Sequence, residues 1–186
     1  ETAPHYLTFD AEEIPDGATE YKCCPPLRGH ANRMSLWKAL QEGVIDLVAS
    51  DHSPSTAELK HLDTGDFGAA WGGISSVQLG FSAVWTEGRK LGASLSDVAR
   101  WQGSNPAAVV GLAGKGSIEV GAAADLIAVA PDETFVVDKD KLFHKNPVSP
   151  YHGRELAGVV KATWLAGEPV EPNGPARGRE ITRDNK

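Results

Sequence analysis

Long apolar segments are missing from this 186-residue sequence. No hydrophobic run approaches the roughly 18–20 residues of a membrane-spanning helix, so we expect no membrane partner. The sequence also has no basic and apolar stretch of the kind that forms a secretory signal. Its first residue is Glu1 rather than methionine, and we therefore expect the chain to be a fragment of a longer protein.

Positive charge and cysteine are also scarce. The formal net charge is −7 and the sequence pI about 5.3, which disfavours nucleic acid as a partner. The two cysteines, Cys23 and Cys24, are adjacent, and neighbouring cysteines rarely form a disulfide with each other. We therefore expect a reducing compartment and a cytoplasmic location.

The residues that are present predict an α/β protein. Hydrophobic residues make up 41% of the chain, which is enough for a core. Residues 32–42 have helical periodicity and are followed by Gly43, a typical helix stop. Residues 44–49 are almost entirely apolar, as expected of a strand that is buried on both faces. A helix, a short turn and a buried strand form half of a parallel α/β repeat.

Further elements follow from similar patterns. Residues 2–9 have the composition of a strand, residues 10–28 read as a loop, and residues 75–91 predict a helix. Ser94 and Asp97 have capping-box spacing before a short helix, and Asn105-Pro106 predicts another helix start. The later part of the chain predicts strands, which we expect at residues 116–121, 125–129, 135–137 and 159–165. The segment after Val170 is rich in proline, glycine and charge, and we expect it to be mobile.

One polar pair ends the buried run. Asp51 and His52 follow residues 44–49, and parallel α/β folds bind their ligands beyond the carboxyl ends of strands. A carboxylate there can ligate a metal, accept a proton, or cap the turn into Ser53-Pro54. Since adjacent strand residues point to opposite sides, Asp51 and His52 should not both face one metal.

Four short motifs carry a resemblance to a known family. Residues 1–7 (ETAPHYL), 24–28 (CPPLR), 50–54 (SDHSP) and 70–74 (AWGGI) resemble, in this order, the allantoinases of the cyclic amidohydrolase superfamily. Residues 115–126 and 144–153 fit the C-terminal part of the same family, so the likeness covers about residues 1–170. The SDHSP and AWGGI pair is the specific part, and the other motifs would also suit dihydropyrimidinases or dihydroorotases.

The resemblance implies a fold and a cofactor. It implies the C-terminal part of a metal-dependent (β/α)8 barrel at residues 1–114, part of a small β-sandwich domain at residues 115–170, and a mobile tail at residues 171–186. It also implies two Zn²⁺ ions in a complete active site, bridged by a carbamylated lysine that is absent from this chain. A homo-oligomer, a tetramer, is implied for the complete protein.

Residue roles are implied as well. Asp51 matches the family's last metal ligand, which also transfers protons during catalysis. The resemblance assigns substrate contacts to the backbone of Cys24 and Ser53, while Gly72 and Gly73 would let the backbone approach a hydantoin ring. His52 and His5 are expected behind the metal ligands, with direct catalysis by His52 and metal ligation by His5 as alternatives. The family often has Cys where this chain has Ala3 and Ser where it has Cys24.

Two functions therefore remain open for this chain. The first is that of a hydrolase that opens the cyclic amide of allantoin, a small-molecule substrate, to give allantoate, with this chain holding only the C-terminal part of the site. The second is that of a catalytically incomplete remnant or scaffold, because one carboxylate cannot hold a binuclear metal site. A narrower alternative keeps the chemistry and changes the ring to dihydropyrimidine or dihydroorotate.

Overall fold

The computed structural model describes residues 1–182 as a set of short helices followed by a small antiparallel sheet. In chain order the elements are α1 (Pro4–Thr8), α2 (His30–Gln41), α3 (Gly80–Gly88), α4 (Leu95–Ala99), α5 (Asn105–Val109), β1 (Leu126–Val136), β2 (Glu155–Leu165) and β3 (Glu168–Pro169). Tight turns of 3₁₀ type lie at Ala11–Glu13, Thr19–Tyr21, Arg89–Leu91 and Lys139–Lys141, and a π-helical turn lies at Arg100–Ser104. The predicted mixture of helix and strand is thus confirmed.

The sheet is a three-stranded antiparallel meander in the order β1-β2-β3. The register of β1 against β2 shifts between Ala130 and Thr134, at a segment that contains Pro131. Proline lacks the N–H that a regular ladder needs, so a bulge forms there. The freed Pro131 carbonyl accepts a hydrogen bond of 2.9 Å from Nε1 of Trp85, which fastens α3 to the sheet.

Helices and sheet share two clusters of buried apolar residues. The first packs α1, α2, α3 and α4 together, and consists of Leu7, Trp37, Leu40, Val48, Val84, Trp85, Ala93, Val98, Trp101 and Ala157. The second lies between the N-terminal loops and the sheet, and consists of Phe9, Cys23, Leu27, Ile74, Leu79, Ala83, Val137, Tyr151 and Leu156. Both clusters combine residues from distant parts of the chain, so the helical and β parts share their cores.

Residues 2–9 do not form the predicted strand. Only Thr2 pairs with a neighbour, in a parallel bridge to Val48, and the helix α1 begins at Pro4. Proline presets the φ angle of a first helical residue and has no N–H to lose there, which favours this start. The hydroxyl of Thr8 closes the short helix by donating to the carbonyl of Pro4 at 2.7 Å.

Residues 44–49 do not form a buried strand either. Val44 is 75% exposed, and the N–H groups of Val44 and Ile45 donate to the carbonyl of Ala39 in α2. The start of the apolar run therefore caps the helix instead of joining a sheet. Strand-like pairing is limited to Val48, although the predicted stop at Gly43 is confirmed by its φ of +72°.

The predicted helix over residues 75–91 begins later than expected, at Gly80. The N–H groups of Ser76 and Val77 donate to the ring of His52, so these residues turn towards the neighbouring loop and are not available for a helix. Val77 is 59% exposed and does not join the core. The predicted apolar face is kept by Val84 and Trp85 within α3.

Several other predictions are confirmed. The helix expected at residues 32–42 is α2, and Ser94 and Asp97 form a reciprocal capping box at the start of α4. The helix expected at Asn105 is α5, but Asn105 is its first residue and not its cap, because the preceding π-helical turn continues into it. The Asn105 side chain instead donates to the carbonyl of Asp46.

The later strand predictions have mixed outcomes. Residues 125–129 and 135–137 lie largely in one strand, β1, and residues 159–165 lie in β2. Residues 116–121 form turns and no strand, with left-handed φ angles of +80° at Gly116 and +97° at Gly121. The tail expected at residues 171–186 has neither helix nor strand as far as residue 182, and residues 183–186 lie outside the described residues.

Candidate functional site

Asp51 lies between two parallel bridges of the backbone. Val48 pairs with Thr2 just before it, and His52 pairs with Ile74 just after it, both in parallel bridges. The backbone of Asp51 has a left-handed φ of +45°, a conformation in which Asp is among the better tolerated non-glycine residues. Its side chain is 52% exposed, so the carboxylate can receive a ligand from solvent.

His5 lies behind this carboxylate. Its Nε2 is 3.5 Å from Oδ2 of Asp51, and its side chain is fully buried. Burial, and secondly the positive charge of Lys60, lower the pKa of His5 to about 4, so the imidazole is neutral near pH 7. Within residues 1–182 neither ring nitrogen of His5 has a hydrogen-bond partner. A neutral, buried polar ring therefore faces the carboxylate at slightly more than hydrogen-bond distance.

His52 turns in another direction. Its Nδ1 accepts hydrogen bonds from the N–H groups of Ser76 at 3.0 Å and Val77 at 3.2 Å. Because Nδ1 is an acceptor, the proton of the neutral ring lies on Nε2. The ring packs 5.0 Å from that of His144, whose pKa is lowered by burial and by His52. His52 thus anchors the turn that precedes α3.

Ser53 and Gly73 are in close contact. The N–H of Ser53 donates to the carbonyl of Ile74 at 3.0 Å, which continues the parallel pairing begun by His52. A Cβ atom at Gly73 would lie 2.4 Å from Oγ and 2.7 Å from the backbone oxygen of Ser53. Only glycine allows the two segments to approach this closely.

Cys24 and Gly72 meet on the other side of the same segment. A Cβ atom at Gly72 would lie 2.7 Å from Sγ of Cys24, and the N–H of Gly73 donates to the carbonyl of Lys22 at 2.9 Å. The structure therefore brings together the residues for which we expected substrate contacts, with Gly72 and Gly73 between the loops of Cys24 and Ser53. Cys24 itself is exposed, while Cys23 is buried.

The sequence did not indicate two residues that support these loops. Lys60 is only 2% exposed, and its ammonium donates to the carbonyls of Lys22 and Gly73. The hydroxyl of Tyr6 donates to the carbonyl of Pro25 at 2.8 Å. Nothing in a single sequence indicates that a lysine in a polar loop, such as Lys60, is buried. The role of Tyr6 was not predicted because its segment was interpreted as a strand.

The exposed carboxylate of Asp51 is the candidate metal ligand of this site. In the described part of the chain, no three His, Cys, Asp or Glu side chains lie close enough together to hold a metal ion. The exposed carboxylate of Asp51 can nevertheless supply one oxygen ligand. Across residues 1–182, no helix combines the length and apolar character that crossing a membrane requires.

The chain is similar in sequence to known amidohydrolases. The model of the amidohydrolase family matches residues 10–170. An allantoinase of Streptomyces avermitilis is 55% identical over 187 aligned residues, which cover 99% of this chain and 41% of that protein. An allantoinase of Arabidopsis thaliana is 48% identical, with 94% of this chain and 35% of that protein covered.

Solved structures of hydantoinases share the fold. A dihydropyrimidinase from Brevibacillus agri superimposes with a TM-score of 0.82 at 31% identity, covering 91% of this chain and 38% of that chain. An L-hydantoinase from Arthrobacter aurescens gives the same TM-score at 28% identity, covering 93% of this chain and 39% of that chain. This chain thus spans about two fifths of the length of such relatives. It belongs to the amidohydrolase family.

Proposed function

We propose that the polypeptide that carries this chain hydrolyses the hydantoin ring of allantoin to allantoate, and that this chain supplies the C-terminal part of the active site. The level of identity to allantoinases supports this substrate. The observation that carries the proposal is the half-exposed carboxylate of Asp51, which lies between two parallel bridges, two residues before Ser53, whose atoms pack against Gly73.

We propose the corresponding division of the fold. Residues 1–114 are the C-terminal part of a (β/α)8 barrel, and residues 115–170 are part of a β-sandwich, with residues 171–186 as a tail. The parallel bridges of Thr2 with Val48 and of His52 with Ile74 support the first assignment, since barrel strands are parallel. The antiparallel pairing of β1 with β2 supports the second.

Asp51 fits the role of a metal ligand, since it offers an exposed carboxylate oxygen to a divalent ion. The remaining ligands of a zinc pair would come from the part of the full-length relatives that this chain does not span. When bound, zinc would lower the pKa of a water molecule towards about 7 and would polarise the ring carbonyl. The neutral ring of His5 would hold the Asp51 carboxylate from behind.

Asp51 also carries the proton in this mechanism. Its carboxylate lies in the open site and accepts the proton of the attacking water. It then delivers that proton to the ring nitrogen that leaves when the amide bond breaks. One carboxylate can serve both transfers because the attacking oxygen and the leaving nitrogen are bonded to the same carbonyl carbon.

Ring recognition falls to the backbone around Gly73. The N–H of Ser53 already donates to Ile74, so the Ser53 carbonyl is the group that can accept an N–H of the ring. Gly72 and Gly73 allow the loops of Cys24 and Ser53 to pack closely against this segment, which fixes the backbone groups beside the ring. Cys24 packs against Gly72, and a contact through its backbone would tolerate Cys in place of Ser.

The test is allantoate formation by the full-length polypeptide loaded with zinc. Asp51→Asn removes the proton acceptor and weakens a metal ligand, so we expect kcat to fall by at least about 100-fold. Asp46→Asn, on an exposed residue five positions earlier, is the matched control and should keep wild-type kcat. Substantial turnover by Asp51→Asn, or none by the wild type, would refute the proposal.

A second ring is supported by the structural comparison. The solved structures that superimpose well are hydantoinases and dihydropyrimidinases, at 27–31% identity. The identity to allantoinases is higher, at 48–55% in two of them. Measurement of kcat/KM for allantoin, dihydrouracil and dihydroorotate discriminates between these substrates, and we expect allantoin to give the highest value.

A further inference from the structure

The ammonium group of Lys60 is buried among backbone carbonyls. Lys60 is 2% exposed, and its Nζ donates to the carbonyl of Lys22 at 2.8 Å and to that of Gly73 at 2.5 Å. Burial of a lysine is unfavourable unless its donors are used, and two of its three donors are used here. The contacts join segments that are 38 and 13 residues away along the chain.

Both acceptors belong to the walls of the candidate site. The carbonyl of Lys22 lies two residues before Cys24, and it also accepts the N–H of Gly73 at 2.9 Å. One oxygen thus receives two donors, from Lys60 and from Gly73. The contacts of Lys60 therefore connect the Cys24 loop directly to the segment at Gly72 and Gly73.

The spacing of these segments allows little movement. Positions for a Cβ atom at Gly73 and at Gly72 lie 2.4 Å from Oγ of Ser53 and 2.7 Å from Sγ of Cys24, respectively. The glycine segment is thus closely confined between two loops, and a shift away from one loop moves it into the other. A group that fixes this segment also fixes its spacing from the two loops.

We propose that Lys60 is a positioning residue, which holds the Cys24 loop and the Gly72–Gly73 segment at the spacing needed to bind the substrate ring. The proposal rests on the proposed function, since it takes the ring to be a cyclic amide. Lys60 acts through the carbonyls of Lys22 and Gly73 and does not itself contact the ring. The pKa of Lys60 is lowered to about 8, chiefly by burial, so the ammonium form still predominates at pH 7.

The test compares Lys60→Met with wild type in the full-length, zinc-loaded polypeptide. Met fills similar space but has no hydrogen-bond donor, so the Cys24 loop and the Gly72–Gly73 segment are no longer held together. Binding of the ring should then weaken equally in the ground and transition states. We expect KM for allantoin to rise by about tenfold or more, because hydrogen bonds from a charged group are lost, while kcat stays within about threefold. Lys38→Met, on an exposed lysine of α2, is the matched control and should leave KM unchanged.

A second measurement does not depend on allantoin. Cys23 is 3% exposed, next to the exposed Cys24, and its rate of labelling by a thiol reagent reports loosening of this loop. We expect the thiol reagent to label Cys23 at least about tenfold faster in Lys60→Met than in wild type or Lys38→Met. If Lys60→Met does not fold, Lys60→Leu, which also lacks a donor, takes its place, with the same expectations.

The outcomes separate the two proposals. If wild type does not hydrolyse allantoin, the proposed function fails, and the labelling rate of Cys23 alone decides whether Lys60 holds the loop. If wild type is active, unchanged KM in Lys60→Met would overturn the positioning role. A fall in kcat with unchanged KM would overturn it too, as this indicates a general loss of active protein.

Discussion

The Nε2 atom of His5 lies 3.5 Å from Oδ2 of Asp51, and the two side chains differ completely in exposure. The imidazole is fully buried and the carboxylate is half exposed. Burial and the charge of Lys60 lower the pKa of His5 to about 4, so the ring meets the carboxylate in its neutral form. A neutral ring can orient the carboxylate without neutralising its charge.

Replacement of His5 tests this relationship. In the full-length, zinc-loaded polypeptide, His5→Phe keeps an aromatic ring but removes the polar atom that faces Asp51. We expect kcat for allantoin or zinc affinity to fall by about 10–100-fold, as is typical when a group that supports a metal ligand is lost. Stopped assays and metal analysis provide the measurement. His30→Phe, on a largely exposed ring, is the control, and equal effects of the two variants would contradict the role of His5.

The two glycines of the site should differ in how their substitutions can be rescued. A Cβ atom at Gly72 would meet the Cys24 side chain at 2.7 Å, with Cβ of Cys24 at 3.6 Å. Gly72→Ala should therefore reduce kcat/KM, and Cys24→Ala in the same chain should restore it, since the sulfur is the obstacle. The four variants of this double-mutant cycle are compared by kcat/KM for allantoin.

Gly73→Ala should not be rescued in the same way. Its Cβ would lie 2.7 Å from the backbone oxygen of Ser53, and this atom remains after Ser53→Ala. We expect kcat/KM to fall by about 100-fold with or without Ser53→Ala, as displacement of a site by about 1 Å has such effects. Gly103→Ala is the control, because a Cβ there meets nothing within 4 Å. Full rescue by Ser53→Ala would show that the backbone gives way.

Asp10 should make stability dependent on acid. Oδ1 accepts from Nε of Arg33 at 2.6 Å, Oδ2 accepts from Nη2 of Arg33 at 2.9 Å, and His30 lies 3.0 Å away. Burial raises the pKa of Asp10, but the hydrogen bonds from Arg33 and His30 outweigh it and the net pKa is lowered. The stabilisation is therefore present above the usual Asp pKa of about 3.9 and is lost as pH falls below it.

Asp10→Asn measures this contribution. We expect the free energy of unfolding of the full-length polypeptide in urea at pH 7 to fall by about 1.5–3 kcal/mol, because the partly buried Arg33 loses its two short hydrogen bonds to a charged acceptor and is left with the longer contact to Glu87 at 3.5 Å. The loss of stability below pH 4 should become shallower in the variant. Glu133→Gln, which removes an exposed ion pair with Lys161, should cost less than about 1 kcal/mol. Similar costs for both variants would argue against a special role of Asp10.

The chain expressed alone should self-associate. Ile118 is 91% exposed and Val120 is fully exposed, both in the turns before β1. Apolar surface of this kind is a site of association. Replacement of both residues by Lys should lower the apparent mass measured by light scattering. The control variant replaces Val170 and Ile181 by Lys, and because these residues are about half as exposed, it should lower the apparent mass less. A monodisperse wild-type monomer would contradict this expectation.

Local patterns were reliable where neighbouring residues decide the conformation. The capping box of Ser94 and Asp97, the stop at Gly43 and the helix α2 were all predicted, because each depends on contacts within a few residues. The strand β1 was predicted at its two ends, as separate strands at residues 125–129 and 135–137, and β2 was predicted at residues 159–165. Strands were predicted at residues 2–9 and 44–49, and both predictions were wrong. They assumed hydrogen-bond partners in neighbouring strands, which the composition of these residues does not by itself specify.

The candidate site likewise has features that the sequence predicted and features that it did not. The motifs at residues 50–54 and 70–74 predicted Asp51, Ser53, Gly72 and Gly73 as site residues, and their chemical roles remain predictions. The sequence did not predict the direction of each side chain, because this direction depends on loops from four parts of the chain. His52 turns to the N–H groups of Ser76 and Val77, a contact across 24 residues that no local pattern reports.

The sequence by itself determined the family, the order of most helices and strands, and the carboxylate at position 51. Tertiary structure alone decided that His52 turns to the N–H groups of Ser76 and Val77, and that Lys60 connects the loops beside the carboxylate. The physical reason is distance along the chain. Helix caps and strand composition act between near neighbours, whereas burial and long-range hydrogen bonds exist only once separate segments have packed together.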